Sequence, residues 1–155
     1  MRYLVGLSLV LVSLPWFAAA NVTISEVAWM GSLASANHEW IELYNDGASI
    51  DLTGWRLTDG NSIDVVLDGV IPGGGYAVLE RTSDESTAGA AWQLYTGALV
   101  NSGAVLKLYD AAGNQIDTVV GGENWENIGG NNETKDTAQL SDGRWITAPA
   151  SPGSA

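Results

Sequence analysis

The stretch HEWIELYN, His38 to Asn45, gathers the chain's single histidine, two glutamates and a tryptophan. Histidine followed by glutamate opens the zinc-hydrolase motif H-E-x-x-H, in which two imidazoles one helical turn apart reach the same metal. Here Glu42 stands where the second histidine belongs, and the chain holds no other histidine and no cysteine. A zinc site would need carboxylates alone, so the motif fails on its ligands. Nucleophilic catalysis fails similarly, because no G-x-S-x-G elbow aims a serine at a base. Glycosidase-type chemistry needs two carboxylates across a cleft, and 18 acidic residues leave it open. A hard cation is the other open reading. DGNSID places Asp59, Asn61 and Asp64 in one loop, and NDGASID (Asn45 to Asp51) has a similar composition. Calcium wants six to eight oxygens, and the D-x-[DN]-x-[DN]-G spacing is missing. Asp and Asn also start turns by bonding their own backbone, and that reading is preferred here. PGGG (Pro72 to Gly75) is likewise a turn before a strand, with no helix behind it to cradle a phosphate. No catalytic, metal-binding or cofactor-binding residue is assigned, and no cofactor is expected.

The elements that would carry these residues are strands. Ile41 and Leu43 alternate with Trp40, Glu42 and Tyr44, and the run stops at Asn45-Asp46-Gly47, which is turn chemistry. Alternation sends Glu39, Ile41 and Leu43 to one face and His38, Trp40, Glu42 and Tyr44 to the other. His38 then stands, partly exposed, at a strand entrance. VTISEVAW (22–29), GWRL (54–57), SIDVVL (62–67) and YAVLE (76–80) read the same way, with Leu52, Trp55 and Leu57 in the core. Residues 81–91 are polar and read as a loop. AVLKLYD and QIDTVVG, joined by AAGN, read as a closing hairpin. No window sustains a helical period. Seven to nine strands with turns at short intervals predict an all-β sandwich.

Residues 1–20 have the order of a secretory signal: Arg2, an apolar run from Tyr3 to Leu14, then Ala18-Ala19-Ala20 before Asn21. The run is shorter than the roughly 20 residues a spanning helix needs; retention as an N-terminal anchor is the alternative. Cleavage leaves residues 21–155, without a membrane span, in a secreted or cell-envelope location. Loss of Arg2 leaves 5 basic against 18 acidic residues, a net charge of −13. Such a surface repels a phosphate backbone, so nucleic acid is not an expected partner. With no disulfide possible, packing alone must hold the core.

From Gly121 the composition turns to Gly, Asn, Asp and Ser, yet it retains Trp125, Ile128, Leu140, Trp145 and Ile146. A plain linker would not carry two tryptophans. The expectation is a sandwich domain over 21–121 and a tail over 122–155, partly packed on it. RWITA is a candidate edge strand, Trp40 and Tyr44 are candidate partners for the tail, and PASPGSA should be flexible. Among the six tryptophans after the signal, Trp55 reads as core, while Trp29, Trp92 and Trp125 sit beside loops and read as surface residues. Asn21-Val22-Thr23 and Asn132-Glu133-Thr134 fit the N-glycosylation sequon, which matters only in a glycosylating host.

ISEVAWMGS, EWIELYNDG, IDLTGWRLTDG, IPGGGYAVL and LVNSGAVLKLYDAAGNQIDTVV occur in an order and spacing that resembles the lamin-tail domain in its bacterial, exported form. The resemblance runs from about Val22 to Gly121, and the tail is similar to the family's usual continuation, in which a tryptophan-containing segment precedes SPG. It implies an immunoglobulin-like sandwich and a binding or interaction module without catalytic residues. The nuclear-lamina role belongs to relatives with a coiled-coil rod, and this chain has no heptads. The expected function is a non-catalytic exported module that binds an unknown protein, glycan or other cell-envelope component. A small extracellular hydrolase using carboxylates, or a calcium-binding surface module, is the alternative. Oligomeric state is not legible.

Overall fold

A computed structural model describes residues 21–154. The expected signal segment, residues 1–20, lies outside the described residues. The architecture is two packed β-sheets, one of six strands and one of four, with a small two-stranded ribbon.

Strand β1 (Val22–Ala28) pairs antiparallel with β2 (Trp40–Asn45). The strict alternation of β1 slips at Ser25, where a bulge lets Ile24 oppose Leu43 and Val27 oppose Ile41. Both apolar pairs therefore face the core despite their odd spacing. The short strands β3 (Ile50–Asp51) and β6 (Val70–Ile71) form the ribbon. β4 (Arg56–Thr58), β5 (Asp64–Val66), β9 (Val105–Tyr109) and β10 (Gln115–Val120) make the four-stranded sheet, ordered β10-β9-β4-β5. β9 and β10 are the expected hairpin, antiparallel with Val105 opposite Val120. β7 (Tyr76–Arg81) flanks β2, and β8 (Gln93–Tyr95) follows the expected loop to pair parallel with β7.

The core lies between the sheets. Ile24, Val27, Ile41, Leu43, Ala77 and Leu79 meet Leu57, Val65, Leu106, Leu108 and Val119. Leu52, Trp55 and Leu57 are buried as their positions predict. Asn45 fastens the turns at one end: its amide nitrogen donates to the carbonyls of Ala48 (2.7 Å), Ile71 (3.2 Å) and Pro72 (3.1 Å), and its oxygen accepts from Gly47 N–H. The sheets are also tied at β1, where Asp117 of β10 accepts the Ile24 N–H at 2.7 Å.

The tail departs from expectation in three ways. First, most of it enters the sheet edgewise: β11 (Thr137–Ser141) pairs with β1, and β12 (Arg144–Ala148) pairs with β11, while Ile146, Ser151 and Ser154 line a cleft with Tyr44. The six-stranded order is β12-β11-β1-β2-β7-β8, so RWITA is an edge strand as expected. β1 has open backbone groups on its far side, and satisfying them favours strand addition over face packing. Second, Trp29 and Trp125 are not surface residues. Their rings stack at 6.0 Å and 7°, and Trp125 is fully buried. Their indole N–H groups donate to the Gly129 and Val100 carbonyls, which makes burial tolerable. Gly130 permits the contact: a Cβ there would come within 2.5 Å of Trp29 Nε1. Trp92 is half-buried. Third, residues 149–154 are not loose, because Ser151 and Gly153 bond to the sheet.

Candidate functional site

The bulge in β1 has a second effect. It brings Glu26 directly opposite Glu42 on the outer face of the six-stranded sheet, beside Thr23 opposite Tyr44. Both glutamates are nearly sealed, at 2% and 1% exposure. A cleft of about 280 Å³ adjoins them, lined by Ser25, Tyr44, Tyr76, Gln139, Ile146 and Ser154 among others. The Tyr44 and Tyr76 rings, opposite each other on β2 and β7, stack at 4.7 Å.

Hydrogen bonds converge on the pair from three segments. Glu26 Oε1 accepts from the Thr137 hydroxyl, from Gln139 Nε2 (3.2 Å) and from Ser151 N–H (3.1 Å), and Oε2 accepts from the Ser151 hydroxyl at 2.8 Å. Glu42 accepts from the Ser25 hydroxyl at 2.7 Å and from Gly153 N–H at 2.6 Å. Burial pushes the Glu42 carboxyl up from 4.5 to about 7. The Gly153 and Ser25 hydrogen bonds oppose that rise, and the neighbouring Glu26 adds to it. Two carboxylates side by side, one poised near neutrality, have the composition of an acid–base pair. Yet all four oxygens already accept from the protein, and the two side chains share one sheet face rather than flanking an open substrate channel. What the arrangement does is fasten the C-terminal segment to the sheet.

The other glutamate of HEWIELYN points inward, as alternation predicts. Glu39 binds Arg81 Nη1 at 2.9 Å and Leu99 N–H at 2.7 Å. Burial raises its carboxyl above the usual range, against the pull of Leu99 N–H and Arg81. His38 is half-buried before β2, with Nδ1 2.8 Å from the Ser32 hydroxyl. The calcium-like loop does not converge. Asp59 Oδ1 accepts from the N–H groups of Asn61 and Ile63, both at 2.8 Å, which is turn chemistry. Asp64 instead faces away, in a two-pronged ion pair with Arg56 at 2.5 and 2.6 Å. Asp51 of the second acidic turn binds Thr53. Among the described residues no three His, Cys, Asp or Glu side chains group as a metal site.

The outer face of the four-stranded sheet is different in kind. Val105 and Val120 form an exposed cross-strand pair there; Ile116, toward the other end of β10, and Val66, opposite Arg56 on β5, are also exposed. A groove of about 480 Å³ lies over Arg56, Thr58 and Tyr109, walled by the turns at Gly54 and Asp110–Gly113.

Sequence reasoning missed Glu26, Thr137, Gln139 and Ser151. One signal was present: the apolar spacing Val22, Ile24, Val27 breaks period two and marks a bulge.

The two-sheet packing, with a bulged first strand and a hairpin closing the smaller sheet, defines an immunoglobulin-like β-sandwich module. Residues 16–123 match the family model of the Lamin Tail Domain, and the chain belongs to that family. No curated protein matches the chain. The fold of this family is generally non-enzymatic. Among the described residues no helix is long and apolar enough to cross a membrane.

Proposed function

We propose that this chain is a non-catalytic interaction module, exported by its N-terminal segment, that holds a protein or glycan component of the cell envelope. The observation that carries the reading is the outer face of the four-stranded sheet. An apolar cross-strand pair, Val105 and Val120, stands in water there, with Val66 and Ile116 exposed elsewhere on the same sheet toward a groove over Arg56 and Tyr109. Exposed apolar surface rimmed by polar groups is one means by which proteins engage partners. The acidic surface restricts the partner to one that does not present phosphate-rich backbone. The bacterial, exported character belongs to the same proposal and rests on the N-terminal pattern and the family resemblance.

The test uses the mature chain and a Val105→Asp/Val120→Asp variant as baits on envelope extracts and on a glycan panel. A component retained by the wild type should be lost by a variant whose melting temperature is unchanged. Equal retention by both removes this face from the proposal.

A second reading, a carboxylate-only hydrolase, draws support from Glu42 being raised to about 7 beside Glu26. It requires hydrolytic activity that Glu42→Gln abolishes. Activity unaffected by that change discards it.

A further inference from the structure

Residues 149–154 cross the outer face of the six-stranded sheet and end in a tight turn closed by Ser154 N–H to Ser151 O. Three donors from this segment, Ser151 N–H, the Ser151 hydroxyl and Gly153 N–H, go to Glu26 and Glu42. A further tie runs from Gln139 Nε2 to the Pro149 carbonyl at 2.6 Å. The segment is thus fixed to the sheet through two side chains of one charge type, on adjacent strands and opposite one another.

Among the described residues no cation forms an ion pair with either of them. The titratable groups lining the cleft around Glu42 are Glu26 from β1, Tyr44 from β2 itself, Tyr76 from β7 and Asp142 from the β11–β12 turn. From β12 comes Ile146; Arg144, two residues away on the same face, is exposed and outside the lining. Two ionised carboxylates sealed together bear both a desolvation cost and mutual repulsion. With the segment lifted, Glu42 regains water and the desolvation that opposes its ionisation is relieved. Closing the segment therefore takes up a proton, and opening it gives one back.

We propose that residues 149–154 form a proton-linked strap, shut while Glu42, opposite Glu26, holds its proton and lifted from the sheet as Glu42 ionises. The geometry needs no other moving part, since β11 stays paired to β1 and β12 to β11 while the strap swings beyond Pro149. Lifting it uncovers an anionic groove beside the Tyr44–Tyr76 stack. Glu42 gives the direction and the window. Its carboxyl sits near 7 when covered, against 4.5 in water. Across that interval the open strap gains up to about tenfold in population per pH unit, and the gain levels off above it.

Amide hydrogen exchange on the whole chain, followed residue by residue from pH 5 to pH 8, tests this. Protection at Ser151 and Gly153, taken relative to Leu43 in the core, should fall about tenfold to a hundredfold between pH 5 and 7.5 and then flatten. In Glu42→Gln it should be independent of pH. Side-chain carbon shifts of Glu42 should titrate over the same interval as the Gly153 protection. Constant protection in the wild type, or an unchanged pH dependence in Glu42→Gln, overturns the strap. Should Leu43 lose protection in the variant, the wild-type titration decides alone: a Glu42 midpoint near 4.5 with Gly153 still protected above it is equally fatal.

Discussion

At the scale of single residues, burial of Glu42 sets a sign for how stability depends on pH. The folded chain binds this proton more tightly than the unfolded chain does, because the carboxyl moves from 4.5 to about 7. Below the lower value both states hold the proton and the group contributes nothing. Between the two values only the folded state holds it, so stability declines as pH rises. Above the upper value the penalty is constant, at most roughly 3 kcal/mol and less if the strap lifts to relieve it. Glu42→Gln should therefore gain on the wild type as pH rises from 5 to 8. Glu39, also raised by burial, slopes the same way in both proteins and cancels. Urea unfolding at the two pH values measures the difference, and parallel curves for the two proteins would remove Glu42 as its source.

At the scale of elements, the hairpin β11–β12 decides what counts as the folding unit. It supplies the neighbour of β1 through Glu26–Gln139 and Val27–Ala138, and it brings two of the four donors that satisfy Glu26. A chain cut after Gly121 keeps both sheets in outline but bares the edge of β1. It also strips Trp29 of its Trp125 stacking partner. That fragment should melt well below the full chain or aggregate, by circular dichroism and light scattering, where residues 21–154 stay folded and dispersed. A fragment as stable as the whole would confine these contacts to decoration. Most sandwich strands were legible because their residues alternate cleanly, as in HEWIELYN and AVLKLYD. TAQLS was not, since a strand that fills an open edge needs backbone more than apolar side chains. The burial of Trp29 and Trp125 escaped for a related reason: the carbonyls that accept their N–H groups come from Gly129 and Val100, 100 and 25 residues away. The Glu26–Glu42 pair forms only across strands and only because of the bulge, so neither residue advertises it alone.

At the scale of the whole molecule, the excess of acidic over basic residues is spread over turns whose carboxylates are already engaged. Asp59, Asp110 and Asp51 accept from their own loops, and Asp64 binds Arg56. Calcium should therefore act as any salt does, by screening. A specific site filled at a hundred times its dissociation constant would add about 2.7 kcal/mol, a shift of several degrees in melting temperature for a domain of this size. Millimolar calcium should instead match magnesium, and both should match sodium at equal ionic strength. A calcium-selective rise lost in Asp59→Asn/Asp64→Asn would establish a site.

The pairing of β1 with β11 also imposes an order of events on a newly made chain. The first strand must wait for a partner more than a hundred residues later, as the 111-residue separation of Glu26 and Thr137 records. Contacts so distant in sequence slow folding. During the wait one margin of β1 is open to any passing strand. Glu26, uncovered in that interval, places an acidic side chain on that margin, with Glu42 one strand further in. Charge near an open edge discourages pairing with a second copy. The same glutamates that later fasten the C-terminus would thus first guard an unfinished sheet.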